Sequence, residues 1–409
     1  MPSASEPEDG TALPGACEVR RRSFLIFEAA SRGETSHFRL RLERLEAAVR
    51  RVLAVTRRRY PDLEIPLHSR WRHFGAGGVD RARLVARGAE RDEAARSRIE
   101  LALLSVLCDA GAGPSWRYRE DESGAVFARS EGLAVASLRA MEKGLFSADP
   151  RNPWRADAAA LRALDADRLA SAFQHRSENP LAGFEGRLRL LRRLGETADP
   201  VFFGTPPGSP RSITSRGTPR LGNLYDHWLP RREGLSASEI LDTLLSALSP
   251  IWPRIAGLPP GDFGRHPAVP GDGLLPFHKI LQWLAYSLVE PLEAAGFRIV
   301  GLDALTGLAE YRNGGLFIDC GVIEPYDLGL LDRPLEITSE PVVEWRALTV
   351  ALLDRLAEGV RARLGKTARE LPLAKVLEGG SWAAGREIAV ERRREGRPPL
   401  MILPDGITF

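Results

Sequence analysis

Three stretches of the chain concentrate side chains able to do chemistry. In the first, Lys279, Gln282, Tyr286 and Glu290 follow spacings of three, four and four, which lines them up along one stripe of a helix. In the second, residues 302–323 (LDALTGLAEYRNGGLFIDCGVI), Asp303, Glu310, Arg312 and Asp319 stand among apolar residues. Charges set in apolar surroundings need partners, since removing one partner of a buried pair costs about 3–5 kcal/mol. One outcome is an ion pair of Glu310 with Arg312 or Lys279 that only pins the fold. The other is a carboxylate held by a lysine beside a cleft, able to stabilise a cation or orient water. The third stretch, residues 63–78 (LEIPLHSRWRHFGAGG), gathers His68, Arg70, Trp71, Arg72 and His73 before a glycine-rich turn. The planar fork of arginine suits phosphate or carboxylate, and Trp71 could cover a sugar or a base.

Other chemistries find less. His68 and His73 are five residues apart and share no helical face, and no HExxH or Cys pair joins them, so no metal is expected. Neither GxSxG nor GxxxxGK[ST] occurs, which removes support for acyl transfer and nucleotide-triphosphate chemistry. Glu131 and Asp149 fall near predicted element ends, where capping and turn formation are their commoner roles. Fifty-seven basic against fifty-four acidic residues leave a net charge of +3, too weak a field for a nucleic-acid binder. Three scattered cysteines, Cys17, Cys108 and Cys320, suggest no disulfide framework and fit a reducing, cytoplasmic setting. No apolar run approaches the ~20 residues of a membrane span.

The elements expected to position these groups are mainly helical. Residues 1–20 are polar and read as a disordered tail, with 21–409 a single domain or two lobes, about 21–230 and 231–409, around a cleft. Phe38, Leu42, Leu45, Val49 and Val52 mark a basic amphipathic helix, and a second runs from about 90 to 109. Trp116–Arg129 reads as a hairpin, and residues 203–222 as a long loop. Ser236 and Ser238 precede a helix ending before Pro250, and a proline-rich loop follows to about 276. A helix is expected over Phe277–Glu290, kinked or stopped by Pro291. Asn313, Gly314 and Gly315 read as a turn into a buried strand with Leu316, Ile318, Cys320 and Val322.

The blocks HSRWRHF, DPRNPWRAD, PFHKILQWLAYSLVEPLE and LTGLAEYRNGGLFIDCGVI together resemble the uracil catabolism protein four family. That resemblance spans most of the chain and implies a step in pyrimidine breakdown through ribosylurea, after the uracil ring has opened. The last two blocks are also similar, more distantly, to the queuosine salvage glycosylases. Lys279 and Gln282 match the helix positions of their pattern, and Thr306, Glu310, Tyr311 and Arg312 match the downstream segment, with Glu310 where those enzymes have Asp. This likeness implies a helical body like that of helix-hairpin-helix glycosylases, with a central cleft.

Taken together, the expected activity is hydrolysis of an N-glycosidic bond, releasing urea from ribosylurea or its 5'-phosphate without a cofactor. Glu310 would stabilise the oxocarbenium-like transition state, Lys279 would keep it ionised, and Asp303 is a reserve acid. His68, Arg70, Trp71, Arg72, Gln282, Thr306, Tyr311 and Arg312 would bind a small ribosyl substrate. The alternatives are an amidohydrolase of the same pathway and a non-catalytic regulator that binds a pyrimidine metabolite.

Overall fold

A computed structural model describes residues 15–204, 219–252, 258 and 260–403. It is mainly α-helical, and its strands, among the described residues, form five separate two-stranded pairs. Ten helices carry the body: α1 (Ala16–Ser31), α2 (Leu45–Arg59), α3 (Arg91–Leu107), α4 (Arg129–Glu142), α5 (Phe184–Thr197), α6 (Ala237–Leu248), α7 (Lys279–Ala294), α8 (Tyr311–Asp319), α9 (Glu340–Leu364) and α10 (Trp382–Arg392).

The buried apolar side chains make one connected core. Helix α3 is buried on nearly every side from Ala94 to Leu107, the mark of a central helix rather than an amphipathic one. It packs against α7 and α4, while α9 packs against α1, α2 and α8. Helices from both halves of the sequence thus meet, α3 on α7 and α9 on α1 and α2.

Several expectations hold. The hairpin pairs Tyr118–Arg119 with Val126–Phe127. Helix α6 starts at a capping box in which Ser236 Oγ accepts from the Glu239 amide at 3.1 Å.

Others are corrected. Helix α1 begins at Ala16, inside the expected tail, because Val19, Ser23 and Ile26 bury one face; residues 1–14 lie outside the described residues. Phe38–Leu40 is a strand paired antiparallel with Ile323–Pro325, so the basic helix starts only at Leu45. Most of the expected 203–222 loop falls outside the described residues, while Pro200–Phe203 is a short helix capped by Asp199. The proline-rich loop contains a second hairpin, Phe263–Arg265 with Leu274–Pro276.

The largest local correction concerns residues 313–322. Asn313, Gly314 and Gly315 are inside helix α8 rather than in a turn before a strand. Glu310 caps that helix, its side chain accepting from the backbone amides of Arg312 and Asn313. The glycines serve close packing: a Cβ at Gly314 would lie 2.3 Å from the Trp345 ring, and one at Gly315 would lie 3.0 Å from Pro399.

Helix α7 also runs past its expected end, through Pro291 to Ala294. Proline cannot donate to the carbonyl four residues earlier, which is Ser287. The indole Nε1 of Trp71 supplies that hydrogen bond instead, at 2.8 Å.

Candidate functional site

Helix α7 begins where the chain leaves the Leu274–Pro276 strand. His278 adopts a left-handed conformation (φ 50°), and the Asp262 carboxylate accepts from the Lys279 amide at 3.0 Å. Asp262 is itself gripped by Arg346 of α9, with both guanidinium nitrogens at 2.7 Å. Burial pushes the Asp262 carboxyl up, but the Arg346 charge and hydrogen bonds, the Lys279 amide and His278 together hold the group below its ordinary range. Arg346 Nε also reaches the Ala309 carbonyl at 3.3 Å. One side chain of α9 therefore fixes both the start of the Lys279 helix and the residue preceding Glu310.

Lys279 and Glu310 line the same cavity, of about 530 Å³. Burial pushes the Glu310 carboxyl up, against the two amides and the Lys279 charge that favour its ionised form. It also pushes the Lys279 amine down, against the attraction of Glu310 and Asp109. The Lys279 charge thus acts on Glu310 in the expected direction, favouring its ionised form, while burial works against it. Desolvation of both groups exceeds their mutual help, and each moves toward neutrality, where a proton carrier works best.

Around the pair, His68, Trp283, Tyr311, Arg312 and Trp382 form walls, and Asp109, Arg129, Ser130 and Arg397 complete a polar side. Asp109 is held by Arg70 Nη1 at 2.8 Å and by Ser130 Oγ at 2.9 Å. Arg312 Nη1 donates to the Gly396 carbonyl at 2.9 Å, which joins α8 to the segment that carries Arg397. That segment ends in Met401–Ile402, which pairs in parallel with Pro334–Leu335.

Of the residues singled out in the sequence, the cavity wall thus includes His68, His73, Lys279, Glu310, Tyr311 and Arg312. The others stand elsewhere for clear reasons. Arg70 is fully buried behind the wall, where it holds Asp109 and Ser105 and lies 5.5 Å over the Trp283 ring. Trp71 serves the Ser287 carbonyl and does not line the cavity. Arg72 is paired with Glu290 on the outside of α7. Gln282 and Thr306 are buried and saturate each other, with Gln282 Nε2 to Thr306 Oγ1 at 2.6 Å and the Thr306 amide to Gln282 Oε1 at 2.7 Å. Asp303 is half exposed, faces Arg361 at 3.6 Å and does not line the cavity. Glu131 and Asp149 keep local roles, a surface pair with Arg386 and a turn that binds the Arg151 amide.

Asp109, Arg129, Trp283, Trp382 and Arg397 went unrecognised from sequence. Trp283 alone carried a signal, four residues after Lys279 and hence on its face of the helix. Asp109 looked like a helix end and nothing more.

Among the described residues, the cluster whose donor atoms could converge on a metal ion is His37, Glu340 and Glu344. It does not line the cavity, and Glu344 already accepts from the Phe38 amide at 2.8 Å. No helix is long and apolar enough to cross a membrane, among the described residues.

A family model described as protein of unknown function (DUF1688) matches residues 12–409. The chain belongs to this family. Protein urg3 of Schizosaccharomyces pombe is 40% identical to it over 356 residues, which cover 84% of each chain. Uracil catabolism protein 4 of Lachancea kluyveri is 34% identical over 440 residues, covering 96% of this chain and 97% of the relative. The family resemblance read from the four sequence blocks therefore extends across nearly the whole chain.

Proposed function

We propose that this protein acts in uracil breakdown as an N-glycosidic hydrolase that releases urea from ribosylurea or its 5'-phosphate. The observation that carries this reading is that Glu310 and Lys279 lie on the wall of one cavity with their acid–base properties drawn toward neutrality. The relative named for uracil catabolism supports the pathway. The match of Lys279, Gln282, Thr306, Glu310, Tyr311 and Arg312 to the queuosine salvage pattern supports the bond type.

In this reaction the bond from ribose C1 to nitrogen weakens as positive charge grows on the sugar. The Glu310 carboxylate faces that charge and takes a proton from the attacking water, and the two capping amides fix its position. Trp283, Tyr311 and Trp382 supply flat apolar walls for the sugar. Arg129 and Arg397 line the cavity where Arg70 and Arg72 do not, and in this reading they would meet a 5'-phosphate.

The test is incubation of the purified protein with ribosylurea and, separately, with its 5'-phosphate, followed by assay of free urea. Release by the wild type and loss of release in folded Glu310→Gln are expected. Binding of either compound without urea release would instead identify a metabolite sensor.

A further inference from the structure

We infer that His68 and Glu378 form a proton-delivery pair on the cavity wall, in which Glu378 holds the Nδ1 side of the ring and Nε2 serves the departing nitrogen. This rests on the glycosidase reading and adds the acid that Glu310 cannot supply, since Glu310 is engaged with the attacking water.

His68 lines the cavity, yet it is only 7% exposed. Its Nδ1 lies 2.9 Å from Glu378 Oε2, and its amide is anchored to the Ala374 carbonyl at 3.0 Å. Nε2 has no hydrogen-bond partner among the described residues. The ring stacks at 28° to Trp283, with centroids 6.3 Å apart, and is tilted toward Trp382 at 6.4 Å, so it has little freedom to turn.

Glu378 is buried and heavily supported. Its Oε1 accepts from Tyr60 at 3.0 Å and from Arg59 Nη2 at 3.1 Å, while Arg59 Nη1 donates to its carbonyl at 2.8 Å. Burial raises its carboxyl, but His68, Arg59 and Tyr60 together bring it below the ordinary range. A carboxylate held in this way accepts the Nδ1 proton and directs the second ring nitrogen outward, the arrangement by which acid–base histidines are oriented. Glu378 lies in a single π-helical turn, Leu377–Ser381, and such turns are rare and concentrate at functional sites. Gly379 and Gly380 allow it to sit against α2: a Cβ on Gly380 would be 2.6 Å from Thr56 Oγ1 and from the Val52 carbonyl.

The step balances as follows. The C1–N bond breaks with its electron pair on nitrogen, and the His68 imidazolium gives that nitrogen its Nε2 proton, leaving a neutral ring and free urea. Water adds to C1 and its proton passes to Glu310. Transfer of that proton through solvent restores the imidazolium.

The experiment compares wild type, His68→Gln and Glu378→Gln on two substrates, ribosylurea and p-nitrophenyl riboside, whose leaving group departs without a proton. On ribosylurea, His68→Gln should lower kcat about 10²- to 10⁴-fold. On the nitrophenyl substrate it should change kcat less than about threefold, a contrast that general-acid catalysis requires. Equal losses on both substrates, or no loss on ribosylurea, would overturn the proposal. Imidazole ¹⁵N NMR of the wild-type protein adds a readout independent of turnover. The His68 signal, assigned by its disappearance in His68→Gln, should show a proton on Nδ1 that Glu378→Gln shifts. A bare Nδ1 would also overturn it. If the wild type cleaves neither substrate, the glycosidase reading falls, and the NMR result still decides the orientation of His68 by Glu378.

Discussion

The indole of Trp71 donates to the carbonyl of Ser287, the acceptor left unmatched in α7 by Pro291. Through that bond, and a second from the Arg70 amide to Ser287 Oγ at 2.9 Å, the 68–73 segment is docked onto the helix that presents Lys279 and Trp283. Trp71→Phe keeps most of the apolar surface and removes the donor. It should destabilise the fold by about 1–3 kcal/mol, the cost of an unmatched buried acceptor. In the Pro291→Ala background the helix regains its own donor, so Trp71→Phe should then cost less. A double-mutant cycle by urea unfolding measures the difference.

Glu310 is both a helix cap and the proposed base. Glu310→Gln keeps a carbonyl oxygen for one amide, and should lose activity about 10²- to 10⁴-fold with stability changed by less than about 1 kcal/mol. Glu310→Ala loses the cap as well and should unfold about 1–2 kcal/mol more easily. Urea-release assays and thermal melts of the two variants separate the roles.

The pH dependence follows from the directions at the pair. Activity needs ionised Glu310, so the acid limb of kcat/KM should lie above the ordinary carboxylate range, because burial raises that group. It needs charged Lys279, so the alkaline limb should lie below the ordinary lysine range. Lys279→Met removes a charge that favours the carboxylate, and should move the acid limb further up. A pH–rate profile in which Lys279→Met moves the acid limb down would contradict this arrangement.

His73 lines the cavity and is held well below the ordinary histidine range, first by burial and then by the Arg70 charge. As pH falls through about 6.5, the unfolded chain takes up this proton and the folded chain does not. Stability contributed by the neutral ring is therefore complete above that pH and declines below it, by up to about 1.4 kcal/mol per pH unit. His73→Gln should flatten the difference in unfolding free energy between pH 7 and pH 5.5.

Arg346 and Asp262 form a buried pair joining α9 to the start of α7. Arg346→Met leaves a buried carboxylate without its cation and should cost about 3–5 kcal/mol. Adding Asp262→Asn removes that charge and should recover part of the loss, read as the shift in denaturation midpoint.

The helices were legible where apolar spacing was unbroken, as in α3 and α6, and where a cap stood in plain view, as at Ser236. Helix α8 was not, because Asn-Gly-Gly is a turn signal by local preference, and its role here depends on Trp345 and Pro399, which local sequence does not reveal. The same limit governs the site. Lys279 and Glu310 stood out as charges among apolar residues, and His68 as part of a dense cluster. Trp71 and Arg70 were legible as unusual residues but not as supports, since their partners Ser287 and Asp109 carry no pattern of their own. Glu378 lies 310 positions from the histidine it orients.

The cavity wall draws on residues from His68 to Ile402, so its parts are neighbours only once distant stretches of chain have met. A ligand seated there would bridge early and late segments at once. Its occupancy should therefore slow opening of the whole body, visible as amide-exchange protection that spreads well beyond the residues it touches.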